Sequence, residues 1–378
     1  MINPVRCTLV SVIIVIIISY IYLNPNVSFA KTVPNFSMTS DQQIIGSAGK
    51  YTSTYSPYPL HRNGWQSTLI YFCRNTSRDK VWRTESWDNL KTWTKPEIVV
   101  QGNNIDDEDD LSCAASVTID KNGLWHMYYL TAKRSHPLKV WIHHATAPAP
   151  GINWTKLGSI TPKDFEFIDS PTIFYKNGIF ELYIIEQGYL KKLTSTDGHN
   201  FTNKTTLNAP HGATHGSVYK QDGLTYYFYS ISTDNTPPPE TINVAISYDE
   251  INFEKIQTLL EVGKTSHYKK YIWTPHALIS NNVLNLFYAG VDVEGDGWWG
   301  LDTTMSLAKF NMNFIEDGDL NLDNLTNTID YVSLAKYLFT TDKSQFNLPS
   351  HITMKNFDIN QDTKINLLDS IEIFKRAQ

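Results

Sequence analysis

The chain has little cysteine and no excess of positive charge. Three of its 378 residues are cysteine, and its formal net charge is −6. Because the net charge is negative, the sequence does not indicate the basic surface that nucleic-acid binding requires, and nucleic acid is not an expected partner. Cys73 and Cys113, the two cysteines outside the N-terminal segment, lack the neighbouring ligands that a zinc site requires. They either pair as a disulfide or lie buried as small apolar side chains, and the sequence leaves both interpretations open.

The sequence also has no low-complexity linker between its two parts. Residues 311–318 are the only join between a long β-rich part and a short C-terminal part. The length suits one large domain followed by a small one. Aromatic residues make up 13% of the chain, a fraction that fits both a sugar-binding surface and a packed β-protein.

The longest apolar run lies at the N-terminus. Arg6 supplies a positive charge, residues 9–23 are almost continuously apolar, and residues 28–30 carry the small residues of a cleavage site. This pattern is typical of a secretory signal peptide over residues 1–30. An uncleaved anchor is the alternative, because residues 7–23 reach the short limit for spanning a bilayer. Both interpretations place the rest of the chain outside the cytoplasm, so a secreted, extracellular protein is expected.

The middle of the chain repeats one β pattern five times. Each copy has an apolar segment, a turn and a second apolar segment. The copies are residues 59–72, 115–129, 171–183, 216–229 and 275–288. Their turns begin at Asn63, Asn122, Asn177, Asp222 and Asn281. Asn-Gly or Asp-Gly between β-prone runs predicts a hairpin with a primed turn, in which both central residues have positive φ.

Most copies are followed by a polar turn that ends in an aromatic residue. A recurring four-stranded unit of about 50 residues is the signature of a propeller blade. The sequence therefore predicts an all-β five-bladed β-propeller within residues 31–315. The closing aromatic residues are expected to pack between neighbouring blades. They are Trp93, Trp154, Phe201 and Phe253.

Two stretches near the C-terminus share one spacing of oxygen-bearing side chains. Each has oxygens at positions 1, 3, 5, 9 and 12, counted from an opening Asp. A twelve-residue calcium loop uses this set together with a backbone carbonyl at position 7. The first predicted ligand set is Asp319, Asn321, Asp323, the Leu325 carbonyl, Asn327 and Asp330. The second is Asp358, Asn360, Asp362, the Lys364 carbonyl, Asn366 and Asp369.

A helical apolar pattern follows each loop, and Asp replaces the Glu usual at position 12. With the duplication, these features resemble a type I dockerin over residues 317–376. The resemblance implies a small all-α module at residues 316–378 that binds two calcium ions and docks onto a cohesin domain of a scaffold protein. Asn324 and Thr363 replace the glycine usual at position 6, which predicts weakened calcium affinity.

The residues just before each hairpin are expected to meet at one end of the propeller axis. Here the chain resembles the five-bladed glycoside hydrolases of the arabinanase and β-xylosidase group, most clearly at Ile168-Asp169-Ser170-Pro171. In that family three carboxylates converge, on blades one, three and four. The resemblance implies that Asp169 is the blade-three carboxylate. Because Ser56 and His215 stand at the other two positions, either the catalytic groups lie on other loops or the propeller binds sugar without cleaving it.

Other side chains are candidates for the remaining roles. His215 is a candidate general acid, since imidazole titrates near neutral pH. Asp110, the last residue of an acidic run, and Glu186, at a hairpin end, are the candidate carboxylates. The candidate sugar contacts are His211, Asp292, Trp298 and Trp299. His143 and His144 are expected on opposite faces of a strand, which argues against a joint metal site.

The combined expectation is a secreted, carbohydrate-active protein. The first hypothesis is a glycoside hydrolase that acts on plant-type polysaccharide or oligosaccharide and is attached to a cellulosome-type scaffold through its dockerin. The second is a propeller that binds glycan without hydrolysis and is tethered in the same way. The third is an interaction protein whose propeller serves adhesion.

Overall fold

The computed structural model describes residues 33–46, 53–62, 67–76, 78–104, 107–149, 151–160, 168–221, 223–232, 239–292, 303–315 and 369. Within these residues, twenty β-strands form five four-stranded sheets. The predicted five-bladed β-propeller is confirmed. The predicted signal segment and, apart from Asp369, the predicted C-terminal module lie outside the described residues. No helix in the described part of the chain is long and apolar enough to cross a bilayer.

Four blades are built from consecutive strands. Blade one contains β2 (Thr54–Arg62), β3 (Ser67–Asn75), β4 (Asp79–Ser86) and β5 (Glu97–Val100). Blade two contains β6 (Leu111–Ile119), β7 (Trp125–Lys133), β8 (His136–Ala147) and β9 (Thr155–Ser159). Blade three contains β10 (Ile168–Lys176), β11 (Ile179–Glu186), β12 (Tyr189–Ser195) and β13 (Thr202–Thr206). Blade four contains β14 (His215–Gln221), β15 (Leu224–Ile231), β16 (Thr241–Ser247) and β17 (Glu254–Glu261).

Blade five joins the two ends of the propeller. It contains β18 (Tyr271–Ser280), β19 (Val283–Val291), β20 (Thr304–Ile315) and, outermost, β1 (Val33–Ile45). The Gln257 side-chain amide bonds both the N–H and the C=O of Phe36, at 3.0 and 2.8 Å. Asp41 accepts hydrogen bonds from the Tyr288 hydroxyl and the His267 ring, each at 2.8 Å. These contacts fasten β1 to blades four and five and close the ring.

Two of the predicted primed turns are confirmed. Asn177 and Gly178 have φ of 54° and 82°, and Asn281 and Asn282 have φ of 51° and 57°. The turns at Asn63 and Asp222 lie outside the described residues. The turn at Asn122 differs, because only Gly123 has positive φ. There the Asp120 carboxylate accepts hydrogen bonds from the N–H groups of Asn122 and Leu124, which stabilises a longer loop.

Each of these polar turns is stabilised by an Asp whose carboxylate accepts several hydrogen bonds from groups of the same turn. In blade one, Asp88 accepts them from the N–H groups of Lys91 and Thr92 and from the Ser86 and Thr92 hydroxyls. Hydrogen bonds from Thr92 contribute most to lowering the pKa of Asp88 to about 2. Asp197 and Asp249 make the same pattern in blades three and four. The repeated sequence therefore encodes a repeated local structure.

The closing aromatic residues pack between blades, as predicted. Trp93 meets Phe287 of blade five edge to face, with ring centroids 6.3 Å apart. Trp154 and Phe201 make similar contacts with aromatic rings of the preceding blade. Phe253 joins a buried cluster that spans blades three and four. Each aromatic residue thus seals one interface between neighbouring sheets.

Cys73 on β3 and Cys113 on β6 form a disulfide that links blade one to blade two. The structure therefore decides between the two interpretations of the cysteines. The bond spans 40 residues of sequence and closes a loop of that size.

We expect the double variant Cys73→Ser/Cys113→Ser to lose up to about 4 kcal/mol of unfolding free energy, because the cross-link restricts the unfolded chain. Urea unfolding under oxidising conditions measures the loss. Reductant should lower the unfolding midpoint of the parent and leave that of the variant unchanged. Equal midpoints for oxidised parent and variant would show that the bond does not stabilise the fold.

Candidate functional site

The first strands of the blades start at the same end of the propeller axis. The strand pairing places five residues at equivalent positions there, one from each blade. They are Tyr55, Cys113, Asp169, His215 and Trp273. Since neighbouring blades follow each other around the axis, the blade-three and blade-four positions are adjacent. The chain therefore brings Asp169 and His215 together, as the sequence suggested.

A bulge follows this position in four blades. Ser56, Ala114, Ser170 and Thr274 all have φ between 44° and 53°. The strand pairing shifts at each of them. Ser56 is therefore the counterpart of Ser170, and Tyr55 is the blade-one counterpart of Asp169. The sequence prediction that gave Ser56 as the counterpart of Asp169 was therefore off by one residue. The Ser-Pro pairs at 56–57 and 170–171 align Tyr55, and not Ser56, with Asp169.

Blade four has glycine where the other blades bulge. A Cβ at Gly216 would lie 2.6 Å from the Phe228 carbonyl oxygen, so only glycine fits this approach of two strands. The Gly216 N–H donates to Ser170 Oγ at 3.1 Å, and that hydroxyl donates to Asp169 Oδ1 at 3.1 Å. The Ser170 N–H bonds the same oxygen. Blade four thus fixes the orientation of the Asp169 carboxylate.

Asp169 and His215 form a close pair at the end of the axis. His215 Nε2 lies 3.0 Å from Asp169 Oδ2, and the side chains are 24% and 26% exposed. His215 Nδ1 is buried and has no hydrogen-bond partner among the described residues. The His215 ring can therefore exchange a proton with a bound molecule only at Nε2, the nitrogen that faces Asp169. The pair is accessible and oriented, as acid–base catalysis requires.

Aromatic rings surround this pair. The Trp273 ring lies 6.2 Å from the His215 ring, measured between centroids. His276, three residues further along β18, is buried against the edge of Tyr58. Burial lowers the pKa of His276 to about 4. This imidazole is therefore neutral at pH 7 and adds no positive charge beneath the pair.

A second carboxylate lies near the pair, and sequence reasoning missed it. Asp79 begins β4, at the same end of blade one, and is buried. Burial raises its pKa to about 6, although a hydrogen bond with Tyr55 acts in the opposite direction. Burial also raises the pKa of Tyr55 strongly, and the charges of Asp79 and Asp169 add to that effect. Tyr55 therefore lies near both carboxylates.

The raised pKa of Asp79 predicts a pH dependence of stability. The folded state binds this proton more tightly than the unfolded chain, so its contribution to stability is complete below about pH 4 and is lost as the pH rises through 6. We expect Asp79→Asn to stabilise the fold at pH 7 by about 3 kcal/mol, as the shift in pKa implies, and to change little at pH 4.

Urea unfolding at pH 4, 5, 6 and 7 tests this expectation. Asp88→Asn is the control, because the lowered pKa of Asp88 puts its own pH dependence below pH 4. A parent and an Asp79→Asn variant with parallel stability curves over this range would contradict the assignment.

The other candidate carboxylates are held in ion pairs. Asp110 is fully buried and bonds Arg78 Nη1 at 2.8 Å, with Arg134 Nε at 3.4 Å. Glu186 lies opposite Ile168 in the strand pairing and forms ion pairs with Lys191 and with Lys204. Both arrangements fix local structure at the same end of the propeller. Neither carboxylate is bonded to the Asp169–His215 pair.

The predicted sugar contacts are only partly described. His211 is exposed and lies over Tyr189, with ring centroids 5.6 Å apart. Tyr189 is 46% exposed, so the two rings form an accessible aromatic surface. Asp292 is exposed and accepts a hydrogen bond from the Lys269 N–H at 3.2 Å. Trp298 and Trp299 lie outside the described residues.

The adjacent histidines of β8 occupy opposite faces, as predicted. His144 Nε2 bonds His126 Nδ1 at 3.0 Å and its ring stacks on Tyr128. His143 faces Tyr129 instead. Among the described residues, no group of three or more His, Cys, Asp or Glu side chains is arranged to hold a metal ion. Of the predicted calcium ligands, Asp369 alone is described, and it is helical and fully buried.

Comparisons with known proteins agree with this architecture. Residues 317–376 match the dockerin type I domain family. No curated protein matches the chain at a significant level. One similar solved structure is Zg3597, a family 117 glycoside hydrolase from Zobellia galactanivorans. Its TM-score is 0.56 at 13% identity, over 75% of this chain and 92% of that one.

Two further solved structures share the fold. The α-L-arabinofuranosidase PaAbf62A from Podospora anserina has a TM-score of 0.53 at 11% identity, over 75% of this chain and 98% of that one. The β-xylosidase RS223 has a TM-score of 0.54 at 13% identity, over 71% of this chain and 94% of that one. At these identities the likeness establishes the fold alone. The chain combines a five-bladed β-propeller of the fold seen in these glycoside hydrolases with a type I dockerin domain at residues 317–376.

Proposed function

We propose that the propeller is a glycoside hydrolase and that Asp169 and His215 form its proton-transfer centre. The observation that carries this proposal is the 3.0 Å contact between His215 Nε2 and Asp169 Oδ2 at the end of the propeller axis. Glycoside hydrolysis needs an acid that protonates the leaving oxygen as the C–O bond breaks, and a base that takes a proton from water. In this proposal the accessible His215 imidazole is the acid, and the Asp169 carboxylate holds it in place.

The residues around the pair support distinct roles. Ser170 positions Asp169 through two hydrogen bonds, and Gly216 positions Ser170. Tyr55 is near both Asp79 and Asp169, so a second carboxylate lies in the neighbourhood of the pair. The exposed pair of Tyr189 and His211 offers ring faces for sugar binding, and the buried Trp273 packs beside His215.

The proposed substrate is a plant-type polysaccharide with pentose side chains. Two structures of the same fold are named as an α-L-arabinofuranosidase and a β-xylosidase, enzymes that act on such sugars. The described site has aromatic rings and one histidine beside its single accessible carboxylate, which suits a neutral sugar. The substrate class is thus proposed from the likeness of fold together with the chemistry of the site.

We further propose secretion after removal of residues 1–30, a propeller within residues 31–315 and a scaffold-binding module at residues 316–378. The donor set of the two loops is rich in carboxylate and amide oxygens, the ligands that calcium prefers. Asp369, at position 12 of the second loop, is helical and buried, which fits a ligand directed inward. Calcium would order the two loops, and the ordered helices would bind a cohesin domain.

One observation favours the alternative of a glycan-binding propeller without activity. Tyr55 occupies the blade-one position at which related enzymes are expected to place a carboxylate. Digestion of arabinan, xylan and pectin oligosaccharides separates the two functions. Released sugar that disappears in Asp169→Asn supports hydrolysis. Measurable glycan binding with no product from any of the three supports the alternative.

A further inference from the structure

The axial channel opens on the face opposite the Asp169–His215 pair. All five inner strands line it, and it forms a cavity of about 1350 Å³. Asp169 and His215 stand at the beginnings of β10 and β14, whereas Gln221, the last residue of β14, lies at the wide mouth of this cavity. The cavity therefore belongs to the other end of the axis and is separate from the proposed catalytic site.

We propose that this cavity is a second binding site, and that its ligand is the end of an uncharged saccharide chain. Its volume exceeds the range of about 300–1000 Å³ that is usual for pockets of small ligands, so it leaves room for a ligand of several rings. Its lining combines aromatic rings with unpartnered polar groups. That combination is what a sugar requires, because its C–H faces stack on rings while its hydroxyl groups form hydrogen bonds.

Two residues that line the cavity each carry a buried polar atom without a partner. Ser217 Oγ and Gln221 Oε1 have no hydrogen-bond partner among the described residues, and both residues line the cavity. A buried polar group without a partner costs free energy, so these atoms favour a ligand that supplies donors and acceptors. A sugar hydroxyl supplies both.

Aromatic side chains are presented to the same space. The Tyr58 hydroxyl donates to the Val117 carbonyl and the Tyr219 hydroxyl to the Ile279 carbonyl, each at 3.0 Å. These bonds fix both rings at the wall of the channel. Trp87 stands at the rim and is 55% exposed, an unusual position for the largest apolar side chain. Trp87 therefore offers an exposed ring at the edge of the cavity, and Tyr58 and Tyr219 offer two ordered rings along its wall.

The charge of the lining disfavours ionic ligands. Asp88 is the one Asp, Glu, Lys or Arg among the described residues that line the cavity. Both of its oxygens are bonded within its own turn, to Thr92 and to neighbouring groups. Among the described lining residues, an anionic sugar would find no lysine or arginine and a cation would find no free carboxylate. A neutral saccharide is the ligand class that remains.

The test is calorimetric titration of the full chain with xylohexaose, arabinohexaose and, as an anionic probe, trigalacturonate. The Asp169→Asn background prevents cleavage at the other face. Trp87→Ala should weaken binding of at least one neutral probe by about tenfold or more, and Gln221→Leu should also weaken it. Trp87→Phe should restore most of the affinity by keeping an aromatic face.

Tyr248→Ala is the matched control, because Tyr248 occupies the equivalent position in the polar turn of blade four and does not line the cavity. Its affinity should equal that of the parent within about twofold. Trp87→Ala in the otherwise natural chain should hydrolyse a small aryl glycoside at the parental rate, if the propeller is an enzyme.

Three results would overturn the inference. One is the absence of binding by any neutral probe at millimolar concentration. Another is identical affinity in the parent and in Trp87→Ala and Gln221→Leu. The third is tighter binding of trigalacturonate than of the neutral probes. None of these outcomes depends on hydrolysis, so the inference fails or succeeds independently of the proposed enzymatic activity.

Discussion

Replacing Asp169 by Asn should lower kcat/KM for the natural substrate by about 10²–10⁴-fold, the range in which a positioned acid–base group contributes to catalysis. The amide keeps the shape of the side chain and its contacts with Ser170, but it cannot share a proton with His215. Initial rates of sugar release from the oligosaccharide that the parent cleaves best measure the loss. Glu97→Gln, which removes an exposed carboxylate on β5, is the control and should retain the parental rate.

His215→Gln separates proton donation from simple positioning. If the pair protonates the leaving oxygen, the variant should lose its activity on alkyl glycosides and keep much of it on aryl glycosides, whose leaving groups need no proton. A role in positioning alone would lower both rates by the same factor. Parental rates for Asp169→Asn on every substrate would refute the assignment of the pair.

Much of the fold is encoded in local patterns. The apolar strands and the turns between them repeat in all five blades, and the polar turns closed by aromatic residues repeat in blades one to four, so most strands of the five sheets follow from the sequence pattern. The outer strand of blade five lacks such a pattern. Residues 33–45 are mostly polar and exposed, with buried apolar anchors at Phe36 and Ile45, as suits an edge strand. Its place in the sheet depends on long-range contacts, such as that between Phe36 and Gln257.

The candidate site was only partly predictable from the sequence. Asp169 and His215 precede hairpins in adjacent blades, so their meeting follows from the propeller symmetry alone. Tyr55 was missed although the sequence carries a signal for it, because Ser56-Pro57 and Ser170-Pro171 align the two blades and put Tyr55 at the position of Asp169. Asp79 was missed because it is the first residue of β4, the third strand of blade one, and only the residues before the first strand of each blade were expected to reach the axis. Its burial and its contact with Tyr55 appear only in three dimensions.

The sequence also does not indicate which residues form ion pairs with the other candidate carboxylates. Asp110 ends an acidic run that looks solvated, yet it is the fully buried member of a cluster with two arginines. Arg78 and Arg134 come from neighbouring blades, so the packing of blade one against blade two brings them to the same carboxylate. Such pairing neutralises a buried charge and explains why an acidic run does not by itself indicate a catalytic base.

Removing calcium should unfold the C-terminal module and leave the propeller folded. A ligand that binds only the folded form stabilises it by about 2.7 kcal/mol at a concentration one hundred times its Kd, so two occupied loops contribute about 5 kcal/mol. Most of the marginal stability of a module of about 60 residues would then come from the metal. Calorimetric melting of the full chain with calcium should show two transitions, and chelator should abolish or lower only the first.

The double variant Asp319→Ala/Asp358→Ala provides the control, because it removes the opening carboxylate of each loop. It should melt in the same way with and without chelator, and titration should show that it no longer binds the two ions that the parent binds. Single variants should each retain one ion, since each loop carries its own complete set of donors. A melting profile of the parent that chelator does not change, together with no heat of calcium binding, would rule out both loops as calcium sites and with them a metal-ordered docking surface.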